Sequence, residues 1–413
     1  MIAIKGGKVM TITNGTIEGG TVLIADGKIK AVGGADLAIP ADAEIVDATG
    51  RWVTPGLIDA HSHISLWGDP MLWATEDIND MTSPNTAQLR GRDALNPQDP
   101  AIPIVVRAGV TTVYTGPGSG NVIGGTGMAI KLRGDTAEEM IIPGSEGMKM
   151  ALGENPKRVY GEMQKKYPAT RMGVAAVLRE SLVEAQNYMR KTAAAEAEAK
   201  EKGDGKGDGE EAKLPDRDLK LEALSRVLRR EVQARIHCHR ADDIVTAINI
   251  AEEFDFDYVL EHCTEGYLIP EFLAAKKARA VVGPLLMEHS KHELWRVSMR
   301  TPGLLAKAGV KVAIQADGAL VTKWLPVQVG SAIRYGMDEK DAFDAVTINA
   351  AEILRIADRV GSLEAGKDAD LAIFDGHPFC NFTKCQRVYI DGDLKYDINT
   401  APPEDQVQPG RRF

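Results

Sequence analysis

The chain has 413 residues, 44% of them hydrophobic, and a net charge of −10 from 49 Lys and Arg against 59 Asp and Glu. That length exceeds one ordinary domain but fits a barrel of about 250 residues or more with a smaller companion. Acidity without a basic patch argues against nucleic acid as a partner, and no run reaches the roughly 18 apolar residues of a membrane span.

The N-terminus, MIAIKGGKVM, shows no charged leader followed by an apolar run, so no signal peptide is expected. The four cysteines, Cys238, Cys263, Cys380 and Cys385, form no CxxC pair, which suits a reducing cytoplasm. Over residues 1–55, short β-rich runs are punctuated by Gly6-Gly7, Gly19-Gly20 and Asp26-Gly27. Asp-Gly between two such runs predicts a type I′ hairpin.

From Val53 onward, short and nearly continuous apolar runs alternate with helical patterns such as 241–254 and 338–357. Runs of that kind suit strands buried on both faces, and the alternation predicts a parallel α/β barrel. Two H-x-H pairs, His61/His63 and His237/His239, follow apolar strands. Positions i and i+2 of a strand share a face, so each pair can chelate one cation at the C-terminal end, where a barrel keeps its active site. His262 ends the run Tyr258 to His262, and Asp317 ends the run Val312 to Asp317. Burying so many polar side chains without a metal or substrate is unfavourable.

Elsewhere the signals are weaker. The glycine-rich stretch 115–125 reads as a loop on the rim after the second strand, and Trp67 and Trp73 read as packing residues near the first pair. His289 and His292 follow the seventh strand, and His289 is a candidate substrate contact. Residues 192–216 are Ala/Glu/Lys-rich, then Gly/Asp-rich, and read as the solvated end of a helix followed by a flexible insertion. β character and a second Asp-Gly turn, Asp391-Gly392, return after about Gly361.

These motifs resemble the amidohydrolase superfamily of metal-dependent hydrolases. V-T-P-G-L-I-D-A-H-S-H at 53–63 is similar to its first-strand signature. R-I-H-C-H-R-A-D-D-I, L-E-H-C and I-Q-A-D-G are similar to its fifth, sixth and eighth strands. G-S-L-E-A-G-K-D-A-D-L-A-I-F-D at 361–375 resembles its entry into a C-terminal β-unit. The imidazolonepropionase- and prolidase-like branch looks most similar.

The resemblance implies a (β/α)₈ TIM-like barrel over 56–360, with 1–55 and 361–413 forming a composite β-sandwich domain. It implies metal ligands His61, His63, His237 and Asp317, with His262 as a second-metal ligand or transition-state group. Strand parity does not separate His237 from His239; the resemblance favours His237 and leaves His239 as a substrate contact. Lys149, in Gly147 to Ala151, matches the carboxylated lysine that bridges two metals in binuclear relatives. One or two divalent ions are therefore implied, zinc foremost, with iron or manganese as alternatives.

The implied chemistry is hydrolysis of an amide, cyclic amide or peptide-like C–N bond in a small molecule. A divalent metal makes hydroxide available near neutrality, Asp317 shuttles the proton, and His262 or the metal steadies the oxyanion. Deaminating relatives carry a glutamate three residues after the fifth-strand histidine, whereas Arg240 stands here. Deamination is thus the alternative within the family, and an inactive scaffold is the alternative outside catalysis. A cytoplasmic homo-oligomer is expected.

Overall fold

The computed structural model describes residues 1–203 and 215–401. Strands β1 (Ile2–Met10), β2 (Thr16–Ala25), β3 (Lys28–Gly33), β4 (Glu44–Asp47) and β5 (Trp52–Pro55) come first. The barrel strands are β6 (Leu57–Ser62), β7 (Val110–Thr115), β8 (Ile123–Lys131), β9 (Gly147–Ala151), β10 (Gln233–Cys238), β11 (Tyr258–His262), β12 (Arg279–Val282) and β13 (Lys311–Ile314). Then follow β14 (Leu371–Phe374), β15 (Cys385–Ile390) and β16 (Asp393–Asp397).

The two chain ends share one sheet, in the order β16-β15-β14-β5-β1-β2-β3, with β4 also paired to β1. Ile4, Val9, Val22, Ile24, Val53, Leu371 and Ile373 form its core. Both Asp-Gly turns have positive φ at both residues: 52° and 70° at Asp26-Gly27, and 52° and 77° at Asp391-Gly392. That is the backbone a two-residue I′ hairpin requires. The two turns also touch, since a Cβ on Gly27 would lie 3.1 Å from the Asp391 carbonyl oxygen.

Two glycine pairs expected to separate strands lie inside them instead. Gly7 sits at register shifts within β1, and Gly19-Gly20 lies within β2. A Cβ on Gly7 would come 2.7 Å from Val53, so close packing explains these glycines rather than chain reversal.

The barrel runs β6 to β13 in sequence order, and β8 departs from the all-parallel expectation. It is antiparallel to both β7 and β9. Residues 116–122 are too few for a crossover, which takes about a dozen or more, so the chain returns directly from the mouth. The glycines of 115–125 serve that return: a Cβ on Gly127 would meet the Cα of Gly116 at 2.6 Å. No ladder joins β13 to β6 among the described residues. The seam is held instead by Asp59, whose carboxylate accepts the Ala316 N–H at 3.2 Å, and by Asp317 N–H donating to the His61 carbonyl at 3.2 Å.

Helix Ala241–Glu253 lies where expected. The region 338–357 holds two helices, Glu339–Ala345 and Ile348–Ile353. They break at Thr347, which has a non-helical backbone and donates its hydroxyl to the Phe343 carbonyl at 2.6 Å. Helix Arg171–Gly203 carries the first part of the 192–216 insertion. Residues 204–214, and residues 402–413 of the C-terminal β-unit, lie outside the described residues.

Where the barrel meets the terminal sheet, Lys131 of β8 is buried among carboxylates. Its Nζ lies 2.7 Å from Asp368, 3.0 Å from Asp370, and against Asp391. Lys28 and Arg359 also reach Asp368, at 2.5 and 2.8 Å. Burial works against the Lys131 charge, but the three carboxylates outweigh it and raise its pKa.

Candidate active site

Strand ends bring together His61, His63, His237, His239, His262 and Asp317, all but Asp317 fully buried. Asp317 Oδ1 lies 3.2 Å from His61 Nε2 and 3.6 Å from His63 Nε2. Two donor sets converge to within 4.8 Å: His61, His262 and Asp317, and His237, His239 and His262. His262 belongs to both. Asp317 lies three residues beyond the end of β13 rather than on the strand, with φ at 74°. Together with its N–H bond across the seam to His61, that left-handed turn fixes its backbone at the mouth.

Ring tautomers are set by backbone carbonyls. His63 Nδ1 lies 2.8 Å from the Gly116 carbonyl, and His262 Nδ1 lies 2.8 Å from that of Gly283. A carbonyl only accepts, so each Nδ1 carries the proton and each Nε2 keeps its lone pair for the cluster. Burial lowers the pKa of His63, takes His237 and His239 well below the ordinary histidine range, and brings His262 to about 3. Neutral imidazoles are what a cation needs. Burial and Lys149 oppose charge on His61, but Glu261 and Asp317 outweigh them and raise its pKa. Burial also opposes charge on Asp317, yet His61 and His63 hold its carboxyl well below the usual range.

Lys149 projects from β9 and is 2% exposed. Its Nζ has no hydrogen-bond partner, and neither has His237 Nδ1. Burial pushes Lys149 down to about 8, despite the pull of Glu261 and Asp317. Unpartnered buried nitrogens beside an anionic Asp317 and neutral imidazoles make a donor set that fits a divalent cation. Lys149 as an amine repels such an ion, and as a carbamate would ligate it.

Below the histidines lies a group that sequence reasoning missed. Arg235 Nε lies 2.6 Å from Glu261 Oε1, its Nη2 donates to the Ala60 carbonyl at 2.6 Å, and its guanidinium stacks 3.9 Å from the Tyr114 ring centroid. Glu261 Oε2 lies 2.7 Å from His61 Nδ1. Burial opposes the Glu261 charge, but Arg235 and His61 hold its pKa down. The signal was available: Asp59 and Arg235 precede His61 and His237 by two residues on inward faces. His262 reaches the mouth beside inward Glu261 because φ is positive at 262 (67°), which breaks strand alternation.

Lys291 and Glu293 were also missed. Lys291 Nζ lies 2.7 Å from Glu293 Oε1, 3.2 Å from His239 Nε2 and 3.0 Å from Asn155 Oδ1. Glu293 Oε1 stands 3.8 Å from His237 Nε2. No spacing signal marks them, because Lys291 lies in the connection after β12 and Glu293 in the single 3₁₀ turn His292–Leu294 that follows it. His239 Nδ1 lies 2.7 Å from Thr264 Oγ1. His289, the candidate substrate contact, is exposed, as is His292, and the structure does not bring either into the cluster. Trp73 is 91% exposed rather than packed, whereas Trp67 lines a cavity beside Asp317.

Residues 52–399 match the model of the amidohydrolase family. Amidohydrolase tasK of Hapsidospora irregularis is 30% identical over 397 residues, 92% of this chain and 39% of that protein, so the chain spans well under half of that relative. An imidazolonepropionase of Mesorhizobium japonicum is 25% identical over 389 residues, 87% of each chain. The crystal structure of an amidohydrolase from Thermotoga maritima MSB8 is similar at a TM-score of 0.89 and 44% identity, covering 96% of this chain and 100% of that one.

Proposed function

The chain belongs to the amidohydrolase family, and from that premise we propose that it hydrolyses the C–N bond of an amide, either cyclic or peptide-like. The observation that carries this reading is the approach of Asp317 Oδ1 to His61 Nε2 and His63 Nε2 at 3.2 and 3.6 Å, with His262 in reach of the same centre. His61, His63, His237, His262 and Asp317 would hold one or two divalent ions, and Lys149 would join them once carboxylated. When bound, such an ion supplies Lewis acidity and an acidified water.

The chain's own residues do the rest. Asp317 accepts a proton from the attacking water and returns it to the leaving nitrogen. His262, its Nδ1–H tied to the Gly283 carbonyl, presents a lone pair at Nε2 and would serve as a ligand to the ion rather than as a donor to the oxyanion. Glu261, between Arg235 and His61, fixes the His61 ring from below. Amide hydrolysis is favoured over deamination because Arg240, at the position where deaminating relatives hold a glutamate, is spent on Asp242 at 2.9 and 2.8 Å.

The test pairs elemental analysis with one variant. Purified protein is expected to hold at least one equivalent of zinc, iron or manganese. Asp317→Asn is expected to fold as the parent does and to lose at least ~10²-fold in kcat on any amide that the parent cleaves. Metal below a tenth of an equivalent after supplementation, or parental turnover by the variant, would sink the reading.

A further inference from the structure

Beside the histidine cluster, on the side of the loops after β6, β12 and β13, a cavity of about 460 Å³ opens at the barrel mouth. Trp67, Met71, Leu286, Met287, Val321 and Trp324 line it, and so does Asp317. Met71, Leu286, Val321 and Trp324 are 65, 44, 46 and 51% exposed, a concentration of uncovered large apolar side chains around one opening. Asp69 also lines it, while two other polar groups at its edge have partners. Gln328 Oε1 accepts the Leu285 N–H at 2.5 Å, and Lys323 Nζ lies 5.1 Å from the Trp324 ring centroid. The cluster has a different neighbour at His239, where Lys291, Asn155 and Glu293 are linked by hydrogen bonds. The mouth thus has an apolar side and a polar side, and Asp317 belongs to the apolar one.

That asymmetry fixes an orientation. Hydrolysis adds the water oxygen to the carbonyl carbon, breaks the C–N bond and delivers a proton to the departing nitrogen. With Asp317 delivering it, the nitrogen lies within hydrogen-bond reach of that carboxylate, and its substituent lies against the walls next to Asp317. The geometry points to an amide whose leaving amine bears a bulky apolar group, aryl or branched alkyl, with the acyl part directed toward Lys291 and Asn155. This rests on the hydrolysis proposed above, so the experiment must separate the two.

Two isomeric amides do so. N-benzylacetamide carries its ring on the amine side and N-methylphenylacetamide on the acyl side, with the same atoms in total. The metal-loaded enzyme is expected to favour the first by at least about 10-fold in kcat/KM. Val321→Asn, which makes one wall polar, is expected to narrow that ratio at least about threefold. Benzyl alcohol, a neutral probe, is expected to quench tryptophan fluorescence and to bind the variant at least about threefold more weakly. A ratio of one, or one reversed, with either amide cleaved overturns the inference and leaves hydrolysis standing. Where neither amide is cleaved, benzyl alcohol decides: equal binding by parent and variant, or none, overturns the assignment of the cavity. Binding that the variant weakens upholds the cavity and moves the failure to the hydrolytic reading.

Discussion

Lys131 and Lys149 sit on adjacent barrel strands, 1% and 2% exposed, in opposite surroundings. Lys131, at the junction with the terminal sheet, is held by Asp368, Asp370 and Asp391, and its pKa is raised. Lys149, at the mouth, has no hydrogen-bond partner and is pushed down to about 8. A buried charge surrounded by fixed opposite charges is architecture, since the fold itself satisfies it. A buried nitrogen left without a partner is a strain that the folded chain tolerates for a ligand or a modification to relieve. Substitutions that treat the two lysines alike should therefore have opposite effects.

The largest effect is expected at the junction. Lys131→Met leaves Asp368, Asp370 and Asp391 without their common cation. Removing one partner of a buried ionic group destabilises by about 3–5 kcal/mol. Urea denaturation would measure it, and Lys131→Arg, which keeps the charge, should lose less. Metal content per folded molecule should stay at the parental level. A loss below about 1 kcal/mol would mean that Lys131 is no more structural than Lys149.

A smaller effect of opposite sign is expected at the mouth. Lys149 has a folded pKa of about 8 against an unfolded value of 10.5. Between those values the unfolded chain holds a proton that the folded chain has released. The stability of metal-free protein should therefore rise as pH goes from 8 to 10.5, on the Lys149 contribution. Metal-free Lys149→Met should lack that rise and should melt above the metal-free parent at pH 7, because it buries no ammonium. With metal bound and Lys149 carboxylated, the order should reverse. Parallel Tm profiles for parent and variant across pH 7 to 10.5 would remove the distinction between the two lysines.

Much of this was legible in the sequence, and the parts that were not share a cause. The H-x-H pairs, the sixth-strand histidine and the Asp-Gly turns are local patterns whose geometry follows from strand alternation or from φ alone. Glu261 leaves no local pattern because strand alternation puts it on the face opposite His262, and only the left-handed backbone at 262 lets both point inward. The reversed direction of β8 depends on how residues 116–122 pack, which periodicity does not encode. Lys291 and Glu293 reach the site from the connection after β12 and its single 3₁₀ turn His292–Leu294, too short for any period to place them. The Lys131 cluster joins β8 to residues some 240 positions later, and pairs that distant leave no mark in a single sequence.

The finest test of burial as the deciding factor lies within the junction itself. Lys28 also contacts Asp368, at 2.5 Å, closer than the 2.7 Å from Lys131. Distance alone would rank it as the stronger pair. Its side chain, however, is 44% exposed, against 1% for Lys131. An exposed ammonium keeps most of its hydration in either state, and water screens what it gains from the carboxylate. Such pairs contribute about 0–1 kcal/mol. After Lys28 is removed, Asp368 still has Lys131 and Arg359 as partners, so no buried charge is stranded. Lys28→Met should therefore shift the urea midpoint slightly or not at all, several-fold less than Lys131→Met under the same conditions. Raising salt should erase what remains of the Lys28 effect and leave most of the Lys131 effect in place. Equal losses from the two variants would show that the contact with Asp368, and not the burial of the cation, sets the strength of the junction.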